Sequence, residues 1–560
     1  MKALVHILAL IALALLSFGL FYAPVIFSDD WWRLIANYNF SKLHWIMPTL
    51  GRPFDLFFYK LLFTLFGLNL NAFYLVKWCL ICLAAIQLYC LFGRILPRYH
   101  VTVFAFAAIY LIYPVDQTRM WLTMLSPGWV LTIFYGWLLY EYMQHGFICA
   151  LVGSLVCFTL PLLEYEGQLG VAAAWCLFLF LVSSRHTSGK PRFALLTPLV
   201  IGVIFSIWKL FGTTLLYVYD KYTNRVLLNP LILVERLLRG LSFLVIGWVD
   251  FMHYLIWNPG SSTLINRPDE VDLLLLLALM MFVALIGVLT AWITRKLASA
   301  PEIIPEVRRH AWKTYAKLVF IGLWLACTGY FPVITIGRPR LELAPSRFNF
   351  FAILGAALVL VGVLGFFAWL LARRLDQQPK IMLALTLPFL LIGISSSVKV
   401  QWEARKNWYE QKAILRAFLL IAPDLSDWTK VVFVIPSYAN KDYAKRTPFV
   451  GDWEVTNAVQ VLYNNQTLSA DHYIPSRPDL PQAKFLSDGV ENHPFSAGVT
   501  SYEQILVVIW DATSKQLHVA YNLQEELGIS WQIPDYAPNR LILKDPPIAP
   551  LRYLVDAPSQ

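Results

Sequence analysis

The run Ala3–Arg33, ALVHILALIALALLSFGLFYAPVIFSDDWWR, decides the fold. From Ala3 to Phe27 there is no Lys, Arg, Asp or Glu, and about 20 apolar residues suffice for a helix to cross a bilayer. Two carboxylates, Asp29 and Asp30, then stand where that helix leaves the membrane, and Trp31 and Trp32 follow at once. Tryptophan favours the membrane–water interface, because its ring is apolar and its N–H polar. Two acids are tolerated at that depth only where water or a polar cavity solvates them. They either cap the next helix or face a wet pocket and do chemistry there. Lys2 precedes the run, which is long for a signal peptide and is not followed by a small-x-small cleavage site. It is therefore expected to be an uncleaved anchor.

The rest of the 560 residues repeats this pattern. The chain is 58% hydrophobic and 14% charged, against about 25% charged in an average soluble protein. Its mean hydropathy is +0.58. Apolar runs predict about eleven transmembrane helices, at roughly 3–27, 71–93, 101–113, 127–143, 147–163, 168–183, 193–211, 271–293, 315–332, 349–371 and 381–398. With the N-terminus inside, Lys2 and the five cytoplasmic loops carry about 14 Lys and Arg against about three acids. Four of those loops are basic and the fifth neutral, as the positive-inside rule requires. The net charge of +10 is thus a signal of topology rather than of nucleic-acid binding. The segment 241–257 is apolar but holds Asp250 and His253. Counting it as a span would put the basic loop 294–314 outside, so it is read as an external interfacial or re-entrant helix. The seven cysteines all lie in apolar runs, and Cys79 and Cys82, lacking a second pair, read as packing residues.

The expected fold is an all-α polytopic membrane domain over 1–400, with external loops 28–70, 212–270 and 333–348. A small mixed α/β domain over 401–560 follows it outside the membrane. Residues 402–422 read as an amphipathic helix, Val431–Ile435 and Ile505–Trp510 as strands, and Asp452–Tyr463 as a helix with Asp452 as N-cap.

The sequence holds no phosphate-cradling glycine loop, no HExxH and no GxSxG. ATP-driven and zinc-dependent hydrolysis therefore lack support. What remains is external carboxylates beside external arginines. A carboxylate takes a proton from an attacking hydroxyl, and guanidinium groups hold and stabilise a departing phosphate. Moving a sugar from a lipid phosphate to a hydroxyl needs both. A single attack at the sugar carbon inverts its configuration, as in inverting glycoside chemistry.

The initial span, the Asp-Asp at its outer end, Gly51-Arg52-Pro53 and Phe66-Gly67-Leu68-Asn69 before span two resemble the GT-C superfamily. These are multispanning glycosyltransferases that use polyprenyl-phosphate sugars. The chain is most similar to bacterial members with an added periplasmic C-terminal domain, which implies the inner membrane, a cytoplasmic N-terminus and an extracytoplasmic tail. The resemblance implies that Asp29 or Asp30 is the base, and that Glu164 or Glu166 matches a second acidic position. It also implies that Arg338, Arg340 and Arg347 contact the lipid phosphate, with Arg52 a further candidate. The partners it implies are a polyprenyl-phosphate-linked sugar donor, a glycan, lipid or protein acceptor, and membrane lipids, with no nucleic acid. Clustered carboxylates also attract a divalent cation, Mg or Mn, though nothing in the sequence requires a metal.

Each residue has a plainer reading beside this one. Glu164 and Glu166 fit a solvated turn, the arginines fit headgroup anchoring, Arg52 fits a turn, and Asp116 with Arg119 fits a local ion pair. Two other functions compete. A lipid-linked-sugar flippase needs charges inside its spans, and Lys77 and Lys209 are the candidates. An envelope assembly protein would act through its tail.

Overall fold

A computed structural model describes residues 2–19, 31, 53–67, 69–114, 127–164, 167–183, 197–207, 229–257, 305–334, 349–372, 377–436, 449, 452–475, 482–491, 498–531, 533, 535–543 and 552–555. Their contacts divide into two compact units. The first takes the described residues as far as Gln401, apart from Trp31, and the second takes Trp31 and Trp402 onward.

The first unit is helical: α1 (Lys2–Phe18), α2 (Pro53–Phe66), α3 (Leu70–Ile95), α4 (His100–Leu111), α5 (Pro127–His145), α6 (Ile148–Leu162), α7 (Gln168–Ser183), α8 (Thr197–Ile207), α9 (Pro230–Trp257), α10 (Pro305–Ile334), α11 (Ile353–Leu371) and the first part of α12 (Gln378–Ile421). Among the described residues four helical stretches are long and apolar enough to cross a membrane: α3, 312–332 within α10, 349–371 ending α11, and α12. Asn69 starts α3 by accepting the Ala72 N–H on its side chain at 3.3 Å. Gly146, at φ +72°, supplies the left-handed turn between α5 and α6.

Small residues let these helices approach closely. A Cβ on Gly355 would overlap the backbone of Gly322 and Ala326, and one on Gly329 would overlap the Phe351 carbonyl. The backbones of α10 and α11 are therefore in contact and run antiparallel, a mode of packing favoured where the surroundings are as apolar as the side chains.

Several expectations change. The expected span 101–113 is α4, with 12 residues and about 18 Å long. That is short of the ~30 Å hydrocarbon core, and ten of its residues are buried. The expected span 147–163 is α6, with 15 residues. The expected external helix 241–257 is the second half of the longer α9. The expected span 381–398 and the amphipathic helix 402–422 are one helix, α12, of 44 residues, because nothing between Ile394 and Ile421 is Gly or Pro. The expected span 271–293 lies outside the described residues.

The second unit is α/β. It holds the end of α12, then β1 (Lys430–Val434), α13 (Asp452–Tyr463), β2 (Ser469–Tyr473), β3 (Lys484–Phe485), β4 (Val490–Glu491), β5 (Val499–Thr500), β6 (Ile505–Asp511), β7 (Gln516–Val519) and α14 (Leu523–Leu527). The main sheet has the order β2-β1-β6-β7. β1 is parallel to both β2 and β6, whereas β7 is antiparallel to β6. The crossover from β1 to β2 is α13, a βαβ unit. β1 is buried along its whole length, as a central parallel strand covered on both faces should be. One face packs Val432, Val434, Val507 and Ile509 against Tyr502 and Leu523. On the other, Phe433 meets Phe418 of α12 and Phe449.

Candidate functional site

Of the expected site residues only Glu164 is among those described. Asp29, Asp30, Arg52, Glu166, Arg338, Arg340 and Arg347 lie outside them, as do Asp116, Arg119 and the side chains of Asp250 and His253. Trp31, next to Asp30, belongs to the second unit, where it is buried 5.9 Å from the Trp408 ring.

Glu164 follows the end of α6, its N–H donating to the Pro161 carbonyl at 3.1 Å. The solvated-turn reading does not hold for it, because its side chain is buried. Glu164 Oε2 accepts the Gly128 N–H at 2.5 Å. Gly128 is the second residue of α5, so the carboxylate sits on an amide of a helix head, where the dipole and unsatisfied N–H groups favour negative charge. Any side chain at Gly128 would occupy this place, since its Cβ would overlap Glu164 Oε2 and Gln168 Nε2.

One turn deeper, the contact repeats. Thr132 Oγ1 donates to Gln168 Oε1 at 2.5 Å and lies 2.8 Å from the Gly128 carbonyl. α5 and α7 thus run parallel in a fixed register, Gly128 to Glu164 and Thr132 to Gln168. Below it Tyr135 bonds Cys176, and Gly136 lies under the Trp175 ring. The polar rungs end where these aromatic ones begin.

The ends of other expected loops gather at the same helix head. The Phe54 N–H donates to the Leu163 carbonyl at 3.2 Å, two residues after Arg52. The Phe350 ring lies 4.7 Å from that of Trp129, three residues after Arg347. Phe351 fills the space over Gly167. Trp129 also stacks on Tyr110, at 6.1 Å and 11° between planes. The described flanks of the first and last expected site loops therefore meet around Glu164.

The arrangement holds one carboxylate oxygen on a backbone donor inside a partly aromatic wall. An ionised carboxylate only accepts hydrogen bonds, so the group suits a ligand rich in O–H donors. Among the described residues no cluster of three His, Cys, Asp or Glu could hold a metal ion. Sequence reading missed Gly128, Thr132 and Gln168. The four-residue spacing of Gly128 to Thr132 was the available signal, since residues so spaced share a helix face; Glu164 and Gln168 stand on either side of the turn between α6 and α7.

No protein-family model matches the chain, and no curated protein matches it.

Proposed function

We propose that the chain is an inverting membrane glycosyltransferase. It moves a monosaccharide from a polyprenyl-phosphate donor to an acceptor hydroxyl at the outer face of the membrane. Asp29 or Asp30 takes the acceptor proton, Arg338, Arg340 and Arg347 hold the departing lipid phosphate, and Glu164 accepts hydrogen bonds from sugar hydroxyls. The second unit lies outside the membrane and recruits acceptor. The observation that supports this reading best is the buried, amide-held carboxylate of Glu164, with the flanks of two expected site loops beside it.

The test is sugar transfer by the detergent-solubilised full chain, offered polyprenyl-phosphate hexoses and pentoses. Wild type is expected to transfer with inversion. Loss of the base, by Asp29→Asn or Asp30→Asn, is expected to slow the step by about 10²–10⁴. Glu164→Gln keeps the shape and the Gly128 contact but not the charge, and is expected to raise KM more than it lowers kcat. Wild type without transfer activity, or undisturbed by all three changes, would sink the proposal.

A flippase is the second reading, favoured by one observation. Lys77 is buried well inside α3, and charge in a membrane helix is expensive unless it serves a pathway. Lipid-linked sugar flux in vesicles, abolished by Lys77→Met and indifferent to Asp29→Asn and Asp30→Asn, distinguishes it.

A further inference from the structure

Arg236, on α9, is nine-tenths buried. One terminal nitrogen donates to the Ile334 carbonyl at 2.7 Å, at the last residue of α10. Its Nε is buried with no hydrogen-bond partner among the described residues. None of the ion pairs among the described residues involves it.

The side chain is not placed there by a loose helix. Arg236, Gly240, Leu244 and Trp248 recur every four residues and so share one face. Gly240 lies under the Tyr330 ring, and Tyr330 Oη donates to the Gly240 carbonyl at 2.9 Å. Tyr113 Oη donates to the Leu244 carbonyl at 2.8 Å, and its ring meets that of Trp248 edge-on. α9 is therefore fixed at Arg236 and Gly240 against α10 and at Leu244 and Trp248 against Tyr113, which follows α4, and the guanidinium is carried into the unit with it. Leu231, Val234, Leu238 and Val245 of the same helix are exposed, so its outer side is suited to lipid.

A guanidinium has five N–H donors. Here one meets a neutral carbonyl. A helix C-terminus carries only about half a negative charge, and an ion taken from water without a full partner costs several kcal/mol. We propose that Arg236 is the seat of an anionic phosphate group. The planar fork matches phosphate oxygens, and the anion a bilayer offers is a lipid phosphate. Arg338 and Arg340 follow Ile334 by four and six residues in the sequence. That an anion binds Arg236 stands on this geometry alone. That the phosphate belongs to a prenyl lipid rests on the glycosyl-transfer reading.

The test uses the full chain in phosphatidylcholine nanodiscs, titrated with undecaprenyl phosphate, with undecaprenol, or with inorganic phosphate. Wild type is expected to bind undecaprenyl phosphate at least tenfold more tightly than undecaprenol. Arg236→Gln is expected to remove that preference, a loss of about tenfold for a charge-assisted hydrogen bond. Arg236→Lys, which keeps charge but not the fork, is expected to fall between. With no ligand, Arg236→Gln is expected to leave Tm unchanged or raised, because it removes an uncompensated charge. A purely structural arginine would instead lower it. Inorganic phosphate bound by wild type and lost in Arg236→Gln, without any preference for the prenyl phosphate, keeps the anion seat and removes the lipid assignment. Equal binding of undecaprenyl phosphate and inorganic phosphate by wild type and Arg236→Gln overturns the proposal. Sugar transfer is measured separately: a chain that binds undecaprenyl phosphate through Arg236 yet transfers nothing refutes the enzyme reading and leaves the anion seat standing.

Discussion

The two units of this chain differ in what they leave outside. In the helical unit the closest helix contacts are made at Gly and Ala, and large apolar side chains stand on both sides: Leu88, Phe92 and Phe106 are buried, while Leu75, Phe320 and Phe331 are exposed. α10 packs inward through Gly322, Ala326 and Gly329 and turns Phe320 and Phe331 outward. In the α/β unit the aliphatic side chains are inside. β1 is wholly buried, and β7 alternates exposed Gln516 and His518 with buried Leu517 and Val519. The lesson is about solvent. Apolar burial drives folding where the alternative is water. Where the alternative is lipid, close backbone approach and polar rungs such as Thr132–Gln168 select the neighbour.

Buried charge separates the two further. In the α/β unit Lys430 and Asp471, both buried, face each other at 3.8 Å, and Asp471 Oδ1 accepts the His472 N–H at 2.8 Å. The charge is answered within the unit, whereas among the described residues Arg236 of the helical unit meets only a carbonyl. Asp471→Asn keeps the hydrogen bond and removes the charge that faces Lys430. We expect a loss of about 3–5 kcal/mol in this unit. Amide exchange across β1 and β2 in the full chain measures it. Adding Lys430→Met should restore most of the protection, because a buried pair replaced by apolar side chains is close to neutral. Protection unchanged in the single variant would show that the pair carries no such weight.

The outer surfaces offer the next largest contrast. Phe320, 66% exposed in α10, and Tyr521, 61% exposed in the α/β unit, differ little in exposure. If the helical unit faces lipid, Phe320→Asp costs about 3 kcal/mol, the penalty for an acid near the centre of a membrane helix. Tyr521→Asp should stay within about 0.5 kcal/mol, as for an ordinary surface change. Membrane-inserted yield and thermal stability in nanodiscs compare them. Equal effects would remove the distinction between the two surfaces.

Much of this division was legible in the sequence, and the failures have physical causes. The span expected at 71–93 is α3, and the helix expected at Asp452–Tyr463 and the strands near 431 and 505 stand where periodicity puts them. The helix expected at 101–113 is α4, but whether it is a span was not legible, because an apolar run looks the same whether protein or lipid surrounds it. The break expected near 400 is missing because the change there is one of composition. Apolar residues giving way to charged ones marks a change of solvent, while a helix stops at Gly, Pro or a cap. The site was legible in part. Glu164 stood out as an acid between spans, but it is held by a backbone N–H, that of Gly128, which no side-chain pattern reveals. Arg236 was passed over for a related reason: its partner among the described residues is the carbonyl of Ile334, 98 residues on.

The smallest contrast is in how the units respond to pH. Polar turns facing water can titrate, and the β6–β7 turn shows how. Asp511 accepts the Ser514 hydroxyl at 2.7 Å and the Thr513 N–H at 2.8 Å. These bonds, the Ser514 hydroxyl first, hold its carboxyl below the usual carboxylate range. A carboxyl depressed in the folded state binds fewer protons there than when unfolded. Its contribution is therefore complete above the ordinary carboxylate pKa and disappears as pH falls through the lower, folded value. Asp511→Asn should reduce protection of the Thr513 and Ser514 amides at pH 7 and change little at pH 2–3, once exchange rates are corrected for intrinsic pH dependence. Residues 313–327 of α10, around Phe320, include no Asp, Glu or His, so amide protection around them should be the same at both pH values. A difference between variant and wild type that persists undiminished in acid would show that the turn is held by its shape and not by the charge on Asp511.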